Sequence, residues 1–100
     1  DELHVVETMG QRKHMITDIS DAFITLPGGA GTLEEFFEIW VGHYLKFHTK
    51  PVVILDPFEI YAPLHQLIVH LEEEKFIKPG MREIVQWTTN VDDALKACGV

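Results

Sequence analysis

Two short apolar runs constrain this chain most: Ala22-Phe23-Ile24-Thr25-Leu26 and Pro51-Val52-Val53-Ile54-Leu55. A half-buried strand alternates apolar and polar residues, and neither run does. The pattern is that of strands covered on both faces. Between them, Thr32 to Phe47 reads as a long helix, and strand–helix–strand order predicts a parallel sheet covered by helices. The flanking segments extend the alternation. Met9 to Ile19 reads as a helix, with Met9, Lys13, Ile16 and Ile19 at helical spacing. A second buried run closes at Asp56-Pro57, and a helix is expected from Ala62 to Glu74. Phe76 to Gly80 reads as a loop and Glu83 to Trp87 as a third strand. Asn90 or Asp92 is the expected cap of a last helix through Ala97. With right-handed crossovers, the fold class is α/β, a Rossmann-like parallel sheet covered by helices. Three strands are few for such a sheet and the chain does not open on Met, so residues 1–100 are expected to form a partial Rossmann-like nucleotide-binding domain, the C-terminal portion of a larger single domain.

Charge and composition narrow the partners. Sixteen acidic residues against eight basic ones give a net charge of −8. Nucleic acid is therefore not the expected partner, since a phosphate backbone is held by clustered Lys and Arg. A single nucleotide needs only one or two cations and a few backbone amides. The lone Cys98 forms no internal disulfide and suits a reducing compartment, so the expected location is the cytoplasm. No apolar run approaches the ~20 residues of a membrane span, and no membrane partner is expected.

The chemistry concentrates where the first apolar run ends, in Leu26-Pro27-Gly28-Gly29-Ala30-Gly31-Thr32-Leu33-Glu34-Glu35. In a parallel α/β unit, the turn from a strand's carboxyl end into a helix is where ligands bind. Gly28, Gly29 and Gly31 can adopt positive φ and leave the backbone uncovered, so that N–H groups close on an anion. The helix that follows adds its unpaired amides and its dipole, and Thr32 can donate its hydroxyl to the anion or cap the helix. The simpler alternative is a tight turn with Thr32 as an ordinary cap. No Walker lysine follows the glycines and the match to G-x-G-x-x-G is poor, so neither of those motifs applies. The position of the loop after a buried strand favours anion binding.

Acidic residues early in a helix commonly serve the dipole, which is the default for Glu34. At ~100° per residue, Glu34 and Glu35 cannot both face the cleft. Whichever does can stabilise positive charge on a sugar or activate water. Arg12 and Lys13, in Met9-Gly10-Gln11-Arg12-Lys13, are among few basic sites in an acidic chain. Arg12 suits phosphate recognition, whereas solvated surface cations are the ordinary alternative.

These two motifs, in this order and spacing, resemble the M-x-x-R-K and P-G-G-x-G-T-x-x-E pair of the LONELY GUY (LOG) family. Its members are cytokinin riboside 5′-monophosphate phosphoribohydrolases, formerly labelled lysine decarboxylases. The similarity continues through Lys50 to Leu55 and Phe76 to Val85, and so covers essentially the whole chain. The resemblance implies hydrolysis of the N-glycosidic bond of a purine nucleoside 5′-monophosphate to free base and ribose 5-phosphate. By position it makes Arg12 and Glu35 the catalytic pair. Gly28, Gly29, Gly31 and Thr32 would hold the phosphate, with Met9 and Lys13 lining the nucleotide site. It calls for no metal or redox cofactor, and nothing in the chain resembles a pyridoxal phosphate site. The family's further glycine-rich segment lies upstream of these motifs. A homodimer or higher homo-oligomer is implied, with the active site near the subunit interface. In the long helix Phe36, Phe37, Trp40, Tyr44 and Phe47 spread over more than one face, mostly for the core, with one face available to a partner.

Molybdenum-cofactor carriers look similar around a P-G-G-x-G-T loop, so a non-catalytic nucleotide or cofactor carrier is the alternative function. A structural fragment whose glycines only make a turn is the third. Histidines 4, 14, 43, 48, 65 and 70 form no ligand motif with carboxylates and are expected in surface or structural roles. Glu72-Glu73-Glu74 reads as a solvated helix end, Asp92 and Asp93 as flanks of the last helix. Cys98 carries no nucleophile signal.

Overall fold

The computed structural model describes residues 21–100, so the helix expected over Met9 to Ile19 lies outside the described residues. The elements are β1 (Phe23–Thr25), α1 (Ala30–Tyr44), β2 (Val52–Leu55), α2 (Ala62–Glu73), α3 (Pro79–Ile84), β3 (Val85–Thr88) and α4 (Val91–Ala97). The strands lie in the order β1-β2-β3 and both pairs are parallel, with Phe23 opposite Val52 and Val52 opposite Val85. This is the Rossmann-like arrangement that the two apolar runs predict.

Strand β2 is buried at all four positions because it is central and covered on both faces. Val52 and Ile54 turn into a large core with Phe36 and Trp40 of α1, Ile68 of α2, Tyr61 and Val85. Val53 and Leu55 turn the other way, against Ala94 of α4. Each such side chain contributes about 1.5–3 kcal/mol by leaving water. The expectation of double burial fails for β1, where Ile24 is 40% exposed. Among the described residues β1 pairs on one side only, and Ile24 lies opposite Val53, on the face that the short α4 covers.

Several helix boundaries differ from the sequence reading for local reasons. Helix α1 ends at Tyr44 rather than Phe47, because Lys46 adopts a left-handed φ of 68°. Lys46 N–H donates to His43 O and Phe47 N–H to Gly42 O, the paired bonds of a Schellman turn. Lys75 (φ 66°) ends α2 in the same way. The loop expected over Phe76 to Gly80 gives way at Pro79 to α3, whose first position suits proline. Helix α3 then runs through Ile84, so β3 begins at Val85 rather than Glu83. Of the two candidate caps for α4, Asn90 is the one used, its side-chain oxygen accepting from Asp93 N–H at 2.8 Å.

Side-chain bonds lock α1 in place. Trp40 Nε1–H donates to Met81 O at 2.7 Å, joining α1 to α3. At the other end, His48 Nδ1 accepts from Lys50 N–H, which leaves Nε2 to donate to Ile39 O at 2.9 Å. His43 Nδ1 lies 2.9 Å from Lys50 O. His43 and His48 are therefore structural, as expected. Phe36 and Trp40 are core residues, whereas Phe37 and Phe47 are exposed. The aromatic stripe thus divides between two faces, as the sequence suggests.

Candidate functional site

Because the strands are parallel, their carboxyl ends share one edge, and each carries a turn into a helix. After β1 the turn is Leu26-Pro27-Gly28-Gly29. Helix α1 begins at Ala30, with Gly29 as its N-cap in extended backbone (φ −96°, ψ −150°) and no side chain capping it. Thr32 is therefore the third residue of the helix and not its cap. Leu33 N–H donates to Gly29 O, the first bond within α1. The amides of Ala30, Gly31 and Thr32 precede that bond and have no partner inside the helix. With the partial positive charge of the helix end, they form a cluster of donors facing outward.

The glycines serve this arrangement differently from the sequence expectation. None of Gly28, Gly29 and Gly31 takes positive φ; among the described glycines only Gly99 does. What they supply is room. A Cβ on Gly28 would collide with Thr32 Oγ1, so the turn needs glycine there for the chain to pass under the Thr32 side chain. Around Gly29 and Gly31 the Cβ positions are open, which leaves the amide face uncovered.

A cleft of about 410 Å³ lies beside this helix end, walled by Ile24, Thr25 and Leu26 on one side and by Thr32, Glu35 and Glu38 on the other. Thr32 and Glu35 are one turn apart on one helix face. Glu34 points instead into a separate shallow groove with Phe37, Val41 and Phe47. The rotation of ~100° per residue thus separates the two acids as expected, with Glu35 on the cleft side. The same count removes the dipole role given to Glu34: with the helix starting at Ala30, no acidic residue falls in its first turn. The structure brings together Gly28, Gly29, Gly31, Thr32 and Glu35. Met9, Arg12 and Lys13 lie outside the described residues.

Two residues that the sequence reading passed over belong to the same edge. Asp56, 6% exposed, follows β2, and its carboxylate accepts from Ile60 N–H at 3.0 Å and Tyr61 N–H at 2.6 Å. Tyr61 is 4% exposed, and its hydroxyl donates across the edge to Leu26 O at 2.8 Å, in the glycine turn itself. The available signal was an aspartate directly after a buried strand, a position read only as the strand's end. Nearby, His65 stacks on Trp87 with ring centres 4.1 Å apart.

Arg82 Nε–H donates to Glu72 Oε2 at 2.6 Å, a bond that raises the guanidinium pKa further. Burial pushes the Cys98 thiol up, away from the thiolate form a nucleophile needs. Among the described residues no three metal-ligating side chains converge, and no helix is long and apolar enough to cross a membrane.

Fold and site define a Rossmann-like parallel α/β unit with an uncapped glycine turn at its carboxyl edge. A protein-family model described as Possible lysine decarboxylase matches residues 1–98. The chain is 44% identical over 98 residues to a cytokinin riboside 5′-monophosphate phosphoribohydrolase of Mycobacterium tuberculosis, covering 98% of this chain and 52% of that protein. It is 46% identical over 96 residues to a protein of the same name from Rhodococcoides fascians, covering 96% and 48%. A phosphoribohydrolase of Arabidopsis thaliana is 45% identical over 84 residues, covering 84% and 39%. The chain belongs to this family, the LOG family that its motif pair resembles. It spans about half the length of the bacterial relatives it matches.

Proposed function

We propose that the full-length protein hydrolyses the N-glycosidic bond of a purine nucleoside 5′-monophosphate, releasing the base and ribose 5-phosphate. The observation that carries this reading is the uncapped amide end of α1, beside a cleft that Thr32 lines together with Glu35 one turn further along the helix. The 5′-phosphate sits on the amides of Ala30, Gly31 and Thr32, and the Thr32 hydroxyl completes the seat. Glu35 lies about 9 Å of helix rise beyond Gly29, which leaves room for the sugar between phosphate and carboxylate. An acid at that remove faces the ribose and does not repel the phosphate.

Cleavage leaves positive charge on C1′ as the bond to the base breaks. The Glu35 carboxylate stabilises that charge and orients a water molecule for attack, accepting its proton as the new C–O bond forms. The departing base takes a proton from solvent, and Glu35 returns the proton it accepted to solvent, so that one water is consumed. Arg12 holds the substrate in line, and Met9 and Lys13 line the nucleotide site, as the family motif implies. The names of the relatives support this substrate class. The same reading makes the protein a cytoplasmic homodimer or larger assembly.

Incubation of the full-length protein with AMP and with isopentenyladenosine monophosphate, followed by chromatography of the free base, tests the reaction. Base release from either supports it. Nucleotide binding without release would instead favour a carrier.

A further inference from the structure

The glycine turn that presents the amides is held from behind by a residue outside the motif. Leu26 to Gly31 is exposed throughout and carries no strand pairing beyond Thr25. Pro27 has no N–H to anchor it. Against this, the Tyr61 hydroxyl reaches 35 residues back in sequence to bond Leu26 O at 2.8 Å. Its single proton serves that bond, and Gly28 O lies further off at 3.5 Å. The ring is buried in the main core, so the hydroxyl has a fixed position. Asp56 fixes it a second time by holding Tyr61 N–H at 2.6 Å.

We infer that Tyr61 is a positioning residue for the phosphate seat, with Asp56 setting its place. It touches no reacting atom. It holds the Leu26 carbonyl back toward the core, so that the chain from Gly28 to Thr32 turns its amides to the cleft before a ligand arrives. Preorganised donors bind an anion without first being ordered, and losing that order weakens binding more than it slows the bound reaction. The inference rests on the phosphate reading of the glycine turn.

The test compares the full-length wild type with Tyr61→Phe, which removes the hydroxyl and keeps the ring in the core. Inorganic phosphate affinity is measured by calorimetry, and AMP turnover at steady state. The expected result for Tyr61→Phe is a phosphate Kd weaker by about 3- to 10-fold, the scale of one hydrogen bond. KM for AMP rises in step, while kcat stays within about twofold. Asp56→Asn replaces one of the two oxygens that accept from Ile60 N–H and Tyr61 N–H by a donor, so the pair can no longer both be held, and phosphate binding weakens in the same direction. It decides the matter should Tyr61→Phe fail to fold. Wild-type phosphate affinity in the folded variant, or a fall in kcat at constant KM, overturns the inference. A wild type that binds phosphate but releases no base contradicts the phosphoribohydrolase reading alone, and the phosphate comparison still decides the role of Tyr61. A wild type that binds no phosphate overturns both.

Discussion

The turns that follow β1 and β2 lie side by side on one edge of the sheet and handle the same problem in opposite ways. After β2, the Asp56 carboxylate accepts from Ile60 and Tyr61 N–H, Ala62 N–H bonds Glu59 O, and Pro63 has no N–H to satisfy. After β1, glycine stands where a capping side chain would, and the amides at the start of α1 are left for something else. The third turn, after β3, sides with β2, since Asn90 caps α4. A negatively charged oxygen is thus built into the β2 turn and missing from the β1 turn, where the proposed phosphate would supply the same chemistry. The proposed phosphate seat thus lies in the turn whose helix begins on a glycine cap with no side-chain acceptor.

The contrast can be broken from either side. The largest effect is expected at Glu35, which lines the cleft beside the open turn. Glu35→Gln lowers base release by about 10²- to 10⁴-fold, the usual worth of a positioned acid–base group, while phosphate affinity is retained. Glu34→Gln, which faces the other groove, changes turnover far less; an equal loss from both would contradict the assignment to Glu35.

Next in size is the closed turn. Asp56→Ala strands the Ile60 and Tyr61 amides and costs about 2–3 kcal/mol of stability, read as a lower urea midpoint with unchanged slope. In the open turn, stability and binding separate instead. Gly28→Ala drives a methyl group into Thr32 and costs about 1–3 kcal/mol. At Gly29 the backbone suits alanine and its Cβ meets nothing, so Gly29→Ala changes stability by less than about 0.5 kcal/mol. It nevertheless weakens phosphate binding by covering the amide face. Matching losses of stability in the two variants would mean that the glycines only make a turn. Smallest is a change away from both turns. Lys75→Gly relieves a left-handed lysine and gains about 0.5 kcal/mol, net of the added freedom of the unfolded chain, by thermal unfolding.

Much of this was legible in the sequence, for physical reasons. Val52 to Leu55 has no polar position, the pattern of a strand covered on both faces, and it is buried throughout. Leu26 to Glu35 places glycines between a strand and a helix, where an α/β sheet binds its ligands. The periodicity of α1 also separates Glu34 from Glu35. What escaped was long-range. That Ile24 is exposed depends on what covers β1, and its own run is as apolar as β2. That α1 stops at Tyr44 depends on Lys46 accepting a left-handed φ in place of the usual glycine. The cap that Thr32 offered as the alternative to anion binding falls to Gly29, because the helix starts at Ala30 rather than Thr32. Tyr61 was invisible because a tyrosine bonding a carbonyl 35 residues away leaves no local pattern, whereas Asp56 showed only as the end of a buried strand.

The central claim is that the β1 turn is open to phosphate and the β2 turn is closed. Backbone amide resonances of the full-length protein, followed by NMR while inorganic phosphate is added, test it most directly. The expected result is a saturable shift of the Gly29, Ala30, Gly31 and Thr32 amides, with those of Ile60 and Tyr61 in the neighbouring turn left nearly unmoved. Shifts centred on Ile60 and Tyr61, or none at the start of α1, would contradict it.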